Sequence, residues 1–126
     1  HLDSYSKQFK SMVYLTEVNK NSGPFQYING SHKISFIIKQ LILKYWNKLQ
    51  YKTRFNQKLV DNILDESKLK ITTTITKKGA LVLFDPRGLH RGSPIKSGNR
   101  IALTNYIVAK EFDNKHSEIY KSKVTI

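Results

Sequence analysis

Two imidazoles and a carboxylate stand far apart in this chain, in His1-Leu2-Asp3 at its start and in Asp85-Pro86-Arg87-Gly88-Leu89-His90 much further on. If they act together, the chain must return so that the two segments meet. Side chains on an extended strand alternate faces, so His1 and Asp3 project to one side and can grip one ion together, with His90 closing the triad from a distant strand. Two neutral imidazoles and one carboxylate leave Fe(II) with a net positive charge and open coordination positions, which suit a carboxylate-bearing cosubstrate and O2. A closed four-ligand zinc site would look different. Arg100 places a cation shortly after His90.

The pattern between these segments is mainly strand. Residues 9–18 alternate well enough to predict a strand, residues 19–24 supply a polar turn marked by Gly23-Pro24, and Phe25–Ile28 returns as a short strand. From residue 34 to 52 the period changes. Ile38, Ile42, Trp46 and Leu49 recur at helical spacing, beside a polar stripe of Gln40, Lys44, Lys48 and Lys52, which predicts an amphipathic helix packed on a sheet. A second helix is predicted over 57–66, with Leu59, Val60, Ile63 and Leu64 on one face, so the helical insertion covers about 34–66. The β-branched run 71–76 predicts a return to strand, Lys77-Lys78-Gly79 a turn, and Leu81–Phe84 a buried strand. Asp85 to Gly88 bends the chain before His90. Ser97-Gly98-Asn99 then turns it into a strand over 100–108, with Arg100, Ala102, Thr104 and Tyr106 sharing one face. This organisation predicts a mainly β fold, a distorted double-stranded β-helix of the jelly-roll or cupin-like kind with a helical insertion.

Four segments recur in order: His1-Leu2-Asp3, then Gly23-Pro24-Phe25-Gln26-Tyr27-Ile28-Asn29-Gly30-Ser31-His32-Lys33, then Gly79-Ala80-Leu81-Val82-Leu83-Phe84-Asp85, and His90 through Arg100. Together they resemble the phytanoyl-CoA dioxygenase family of Fe(II)/2-oxoglutarate oxygenases over nearly the whole chain. A bare His-x-Asp is a weak signal and Gly-Ser-His-Lys a moderate one, but their joint order and spacing are specific. The resemblance implies that His1, Asp3 and His90 bind iron and that Arg100 pairs with the distal carboxylate of 2-oxoglutarate. Arginine suits that role because its planar, always-charged fork binds a carboxylate at two points. Family members often carry a hydroxyl residue shortly after the distal histidine that helps hold the cosubstrate, and Ser93 is the candidate here. Related iron halogenases replace the carboxylate ligand with a small residue, so Asp3 implies hydroxylation. The implied activity is a dioxygenase using O2 to hydroxylate a small organic or lipid-like substrate. Phytanoyl-CoA itself does not follow, because one fold hosts many chemistries.

At 126 residues and 39% hydrophobic content the chain can bury one core, so residues 1–126 are expected to form a single domain. With no initiator methionine and a proposed ligand in first position, it reads as a C-terminal catalytic-core fragment of such an oxygenase. Upstream strands and the segment covering substrate would then be missing, which puts the activity of the fragment alone in question. The net charge of +13 suggests a polyanion partner. Lysine outnumbers arginine 18 to 4, however, and the lysines are spread along the chain without a basic block, which argues for compositional bias over a nucleic-acid role.

The absence of cysteine excludes disulfides and thiolate metal sites and is compatible with a reducing compartment, so the expected location is cytoplasmic. No signal peptide and no apolar run near membrane-spanning length is visible. Two other classes compete with the oxygenase. One is a non-catalytic β-barrel binding module that keeps the scaffold, against which the complete ligand set and Arg100 count. The other is a basic polyanion-binding domain, whose binding would fall steeply with salt. Among the remaining polar residues, His32 is expected to shape a turn, His116 to lie exposed in a polar tail, and Asp85 to form a turn beside Pro86. Tyr14, Trp46 and Tyr106 are expected in the core or lining a pocket.

Overall fold

Alternation places Lys10, Met12 and Tyr14 on one side of the first strand and Phe9, Ser11 and Val13 on the other. The computed structural model describes residues 1–39 and 53–108. Its strands are β1 (Gln8–Tyr14), β2 (Phe25–Ile28), β3 (Ile71–Thr74), β4 (Leu81–Phe84), β5 (His90–Gly92) and β6 (Ala102–Val108), and its helices are α1 (Ile34–Phe36) and α2 (Gln57–Ser67). They make two antiparallel sheets, ordered β4-β1-β6 and β3-β2-β5. This is the mainly β architecture of a cupin-like jelly roll.

Register decides what each sheet contributes. Lys10 lies opposite Phe84 and Tyr106, Met12 opposite Val82 and Thr104, and Tyr14 opposite Ala102. In the second sheet Phe25 lies opposite Gly92 and Tyr27 opposite His90. A core of Tyr14, Val18, Phe25 and Phe84, with Met12, Tyr27, Val82 and Ala102 packed against it, joins residues from both sheets. Leu81–Phe84 is a strand as expected, but it is not buried throughout. Leu81 and Leu83 are 57% and 55% exposed, because alternation turns them to the face of the sheet that points away from the other sheet.

A second core forms on the other side of the β3-β2-β5 sheet. Ile28 and Leu89 meet Leu2, Phe36, Ile37 and Ile63, with Leu59, Val60 and Leu64 alongside. The helix that supplies Ile63 is bounded by local chemistry. The Asn56 side-chain oxygen accepts from the Leu59 N–H at 2.9 Å, and Lys68 closes the helix in the left-handed conformation at φ 58°. Its bounds agree with the predicted 57–66, as the apolar face does. The strand predicted over 9–18 is shorter, ending at Tyr14, and Val18 makes an isolated bridge to Thr76. The helix predicted over 34–52 begins with α1, and its remainder from residue 40, including Ile42, Trp46 and Leu49, lies outside the described residues, as His116 does. Among the described residues no helix is long and apolar enough to cross a membrane.

Replacing Asn56 with alanine removes the cap of α2 and is expected to lower stability by about 1 kcal/mol. Denaturant unfolding of the Asn56→Ala variant, read as a shift in midpoint at unchanged slope, checks this.

Candidate metal centre

Backbone pairing brings the two distant segments together. The His90 N–H donates to the His1 carbonyl at 2.8 Å, and the His1 backbone nitrogen donates back to the His90 carbonyl at 3.1 Å. The Leu2 N–H is taken by Thr53 O at 2.8 Å and the Asp3 N–H by Pro86 O at 2.9 Å, so each residue of the segment is tied to a different part of the chain. Leu2 then points into the core beneath α2, which leaves His1 and Asp3 on the opposite side.

One ligand atom from each of His1, Asp3 and His90 lies within 4.8 Å of the others. Asp3 Oδ1 stands 3.5 Å from His1 Nε2 and 3.5 Å from His90 Nε2, and the imidazole centroids are 4.4 Å apart. His90 is 6% exposed, packed among Phe25, Tyr27 and Phe84. Its Nδ1 lies 2.8 Å from the Gly88 carbonyl, which can only accept, so Nδ1 carries the hydrogen. In the neutral ring Nε2 therefore presents a lone pair. That atom is buried and has no hydrogen-bond partner. The His90 lone pair thus converges with a carboxylate oxygen and with the His1 Nε2 atom, a donor set that a cation would complete. The Gly88 carbonyl holding His90 Nδ1 is a typical orienting contact for a metal-bound histidine.

The other carboxylate oxygen is already taken. Lys10 Nζ donates to Asp3 Oδ2 at 2.8 Å and lies 4.1 Å from the Tyr106 ring centroid. Burial works against the charged form of Asp3, but hydrogen bonds and charge within the site, that of Lys10 among them, outweigh it and hold the carboxyl at about 2. Burial likewise opposes the charge on Lys10, yet Asp3 and Tyr106 hold its ammonium above the ordinary lysine range. Lys10 thereby keeps Asp3 ionised with Oδ1 turned to the histidines. Sequence reasoning missed this residue, although a lysine alternating with Met12 and Tyr14 on an inward face was its signal.

Arg100 and Ser93 fall in a neighbouring corner. Arg100 precedes β6 instead of opening it, and β5 and β6 belong to different sheets, so no hairpin pairs Arg100 with His90. The guanidinium instead reaches across to donate from Nη1 to the Gly23 carbonyl. It also lies against Gly92, where an added Cβ would come within 2.5 Å of Nη2. Gly92 stands two residues from His90 on β5, roughly 6–7 Å along a strand. Ser93 is half-buried, with its N–H held by Pro24 O at 2.9 Å.

The other polar residues have structural partners. Asp85 accepts from the Arg87 backbone N–H at 3.0 Å and from its guanidinium Nη2 at 2.6 Å, forming the expected turn. The Tyr27 hydroxyl donates to Asp85 O at 2.9 Å and lies 3.2 Å from His32 Nδ1, which ties the His32 turn to the Asp85 turn. Burial, reinforced by the Asp85 charge, pushes the Tyr27 phenol up to about 12, so it stays a neutral donor. Its hydroxyl sits against Gly88, where no side chain would fit. An open groove runs past Phe25, Tyr27, Phe84, Thr72 and Thr74, and a separate pocket is lined by His1, His90, Tyr27, Arg54, Phe55 and Val60. Tyr14 is buried as expected, whereas Tyr106 remains 45% exposed because Lys10 covers only one face of its ring.

Two facing sheets with a His-Asp-His cluster between them make a dioxygenase-type scaffold. The family model for phytanoyl-CoA dioxygenase (PhyH) matches residues 2–102, and the chain belongs to that family. A comparison with curated proteins finds no match.

The lowered Asp3 pKa has a defined sign for stability. An unfolded Asp3 takes up a proton near its ordinary 3.8, while the folded one holds its charge to about 2. Around and below the upper value the unfolded state binds more protons, so the contribution is full above about pH 5 and falls as pH drops toward 2. Allowing for partial solvent screening, the loss is on the order of 1–2 kcal/mol. Unfolding free energies of the metal-free protein measured between pH 2 and 5 should show this slope, and Asp3→Asn should flatten it.

Proposed function

We propose that this chain is the core of an Fe(II)- and 2-oxoglutarate-dependent dioxygenase that hydroxylates a small organic or lipid-like substrate. The observation that carries the proposal is the buried, unpartnered His90 Nε2 facing Asp3 Oδ1 and His1 Nε2. Two histidines and one carboxylate leave coordination positions open, which fits iron oxygenases better than a structural ion. With iron bound, the site would supply O2 activation coupled to oxidative decarboxylation of the oxo-acid.

The chain's own residues do the rest. Gly88 O fixes the His90 ring, and Lys10 fixes the Asp3 carboxylate. Arg100, held by Gly23 O and lying against Gly92, two residues from His90 on β5, is the permanent cation proposed to meet the distal carboxylate. Ser93, in the same corner, is proposed as a further polar contact for the cosubstrate. The pocket lined by His1, His90, Tyr27, Phe55 and Val60 is the proposed place of an apolar substrate beside the ligand set. A reducing, cytoplasmic setting would keep Fe(II) available, and the chain contains no thiol to compete for it.

Anaerobic titration of Fe(II) and 2-oxoglutarate into the protein is expected to produce the weak visible charge-transfer band of the chelated complex. His90→Ala should abolish the band and Arg100→Ala should weaken cosubstrate binding. Absence of the band in folded wild-type protein would overturn the assignment in favour of a non-catalytic module. Gly92→Ala offers a finer check. Its added methyl displaces the Arg100 guanidinium, so the 2-oxoglutarate Kd should rise by roughly ten-fold with Fe(II) binding little changed.

A further inference from the structure

Arg91 carries a permanent charge that the metal centre does not use. It follows His90 on β5, so alternation turns it to the opposite face of the sheet, beside Gln26 of β2 and the start of α2. Its Nε donates to Gln26 Oε1 at 2.7 Å and its Nη1 to Gln57 Oε1 at 2.6 Å. Both amides are fixed at their other ends, Gln26 Nε2 donating to Thr73 Oγ1 at 3.2 Å and Gln57 Nε2 to Asp61 Oδ1 at 2.7 Å. Two neutral oxygens thus orient the guanidinium without cancelling its charge, and further N–H donors remain on it.

Arg54 reaches the same place by another route. The Leu2 N–H bond to Thr53 O fastens the chain just before Arg54 to the His1 segment, and Asn56 caps α2 just after it. Arg54 and Arg91 line one pocket with Phe55, Val60 and Ile71, and His1 and His90 border it. Among the described residues no carboxylate lines this pocket or makes an ion pair with either arginine. The first turn of α2 adds no acidic residue. An anion shared between the two guanidinium groups removes their mutual repulsion. Beside them Phe55 and Val60 are half-buried and Ile71 is exposed, so an apolar wall adjoins the charges. A bare inorganic anion satisfies the arginines and leaves that wall wet, and a plain hydrocarbon does the reverse. An apolar body ending in a carboxylate or phosphate satisfies both.

We infer that Arg54 and Arg91 receive the acidic head group, a carboxylate or a phosphate, of an amphiphilic ligand whose apolar body lies on Phe55, Val60 and Ile71. Under the oxygenase reading, on which this rests, that ligand is the substrate. The two arginines then select an organic anion over a neutral compound of the same length.

The test titrates metal-free protein calorimetrically with octanoate, octyl phosphate, 1-octanol and inorganic phosphate. Both octyl anions are expected to bind roughly ten-fold or more tightly than 1-octanol, and more tightly than inorganic phosphate. The tighter of the two identifies the head group. Arg54→Gln and Arg91→Gln, both at exposed positions, should each raise the Kd of the octyl anions by roughly ten-fold and leave that of 1-octanol unchanged. In the Fe(II) and 2-oxoglutarate complex, the tighter octyl anion should also shift the visible band. Failure of both octyl anions to bind, unchanged affinity in the arginine variants, or 1-octanol binding as tightly as octanoate would overturn the inference. Inorganic phosphate binding as tightly as octyl phosphate would overturn it too, since the apolar wall would contribute nothing. Binding through the arginines with an unmoved band would remove the substrate role and with it the inference. A wild type that shows no band yet binds octyl anions through the arginines would bring down the oxygenase reading alone.

Discussion

The reciprocal backbone hydrogen bonds between His1 and His90 are the contact on which the site depends. They join segments that the sequence separates by nearly the whole of the fold, and they do so with groups that every residue carries. Once these bonds form, strand alternation sends Leu2 into the core under α2 and turns His1 and Asp3 toward His90. The bonds from Leu2 to Thr53 and from Asp3 to Pro86 hold the same segment against two further parts of the chain. The candidate ligand set is thus positioned by main-chain geometry, which leaves its side chains free to meet a cation.

Charge at the centre is arranged in two layers. Asp3 is shared between the histidines on one oxygen and Lys10 on the other, so its ionisation is maintained without a metal. A carboxylate poised in this way needs no proton release before it binds a cation. The second cation, Arg100, belongs to a separate corner made by Gly23 and Gly92. The two glycines matter there for different reasons. Gly23 takes a positive φ of 76° that other residues rarely adopt, whereas Gly92 provides the room in which the guanidinium lies.

The aromatic residues set the environment between these charges. Phe25 and Phe84 meet at a centroid distance of 4.6 Å, one from each sheet, and both contact His90. They bury the imidazole that lacks a partner at Nε2, which raises the cost of leaving that atom unpaired and so favours ion binding. Tyr27 closes this wall by linking the turns that carry His32 and Asp85.

Local patterning alone was enough to read several elements: Phe25–Ile28, Leu81–Phe84 and α2 follow from alternation, helical spacing and turn residues. The residue types of the ligand set were legible too, since a His-x-Asp with a distant histidine carries its chemistry in its composition. What the tertiary structure decided is which neighbours those residues meet. Burial of Leu81 and Leu83 was expected from an apolar run, yet both lie on the sheet face turned away from the other sheet, where Phe9 of the central strand is exposed too, and which face is covered is decided by how the sheets pack. Arg100 was expected to open a strand and share a face with Ala102, Thr104 and Tyr106. It reaches the corner from a loop, because β5 and β6 pair in different sheets. Lys10 and Tyr14 show the same limit. Their strand face was readable, but the partner of the lysine and the missing partner of the tyrosine arise only from long-range register, which a sequence pattern of period two does not encode.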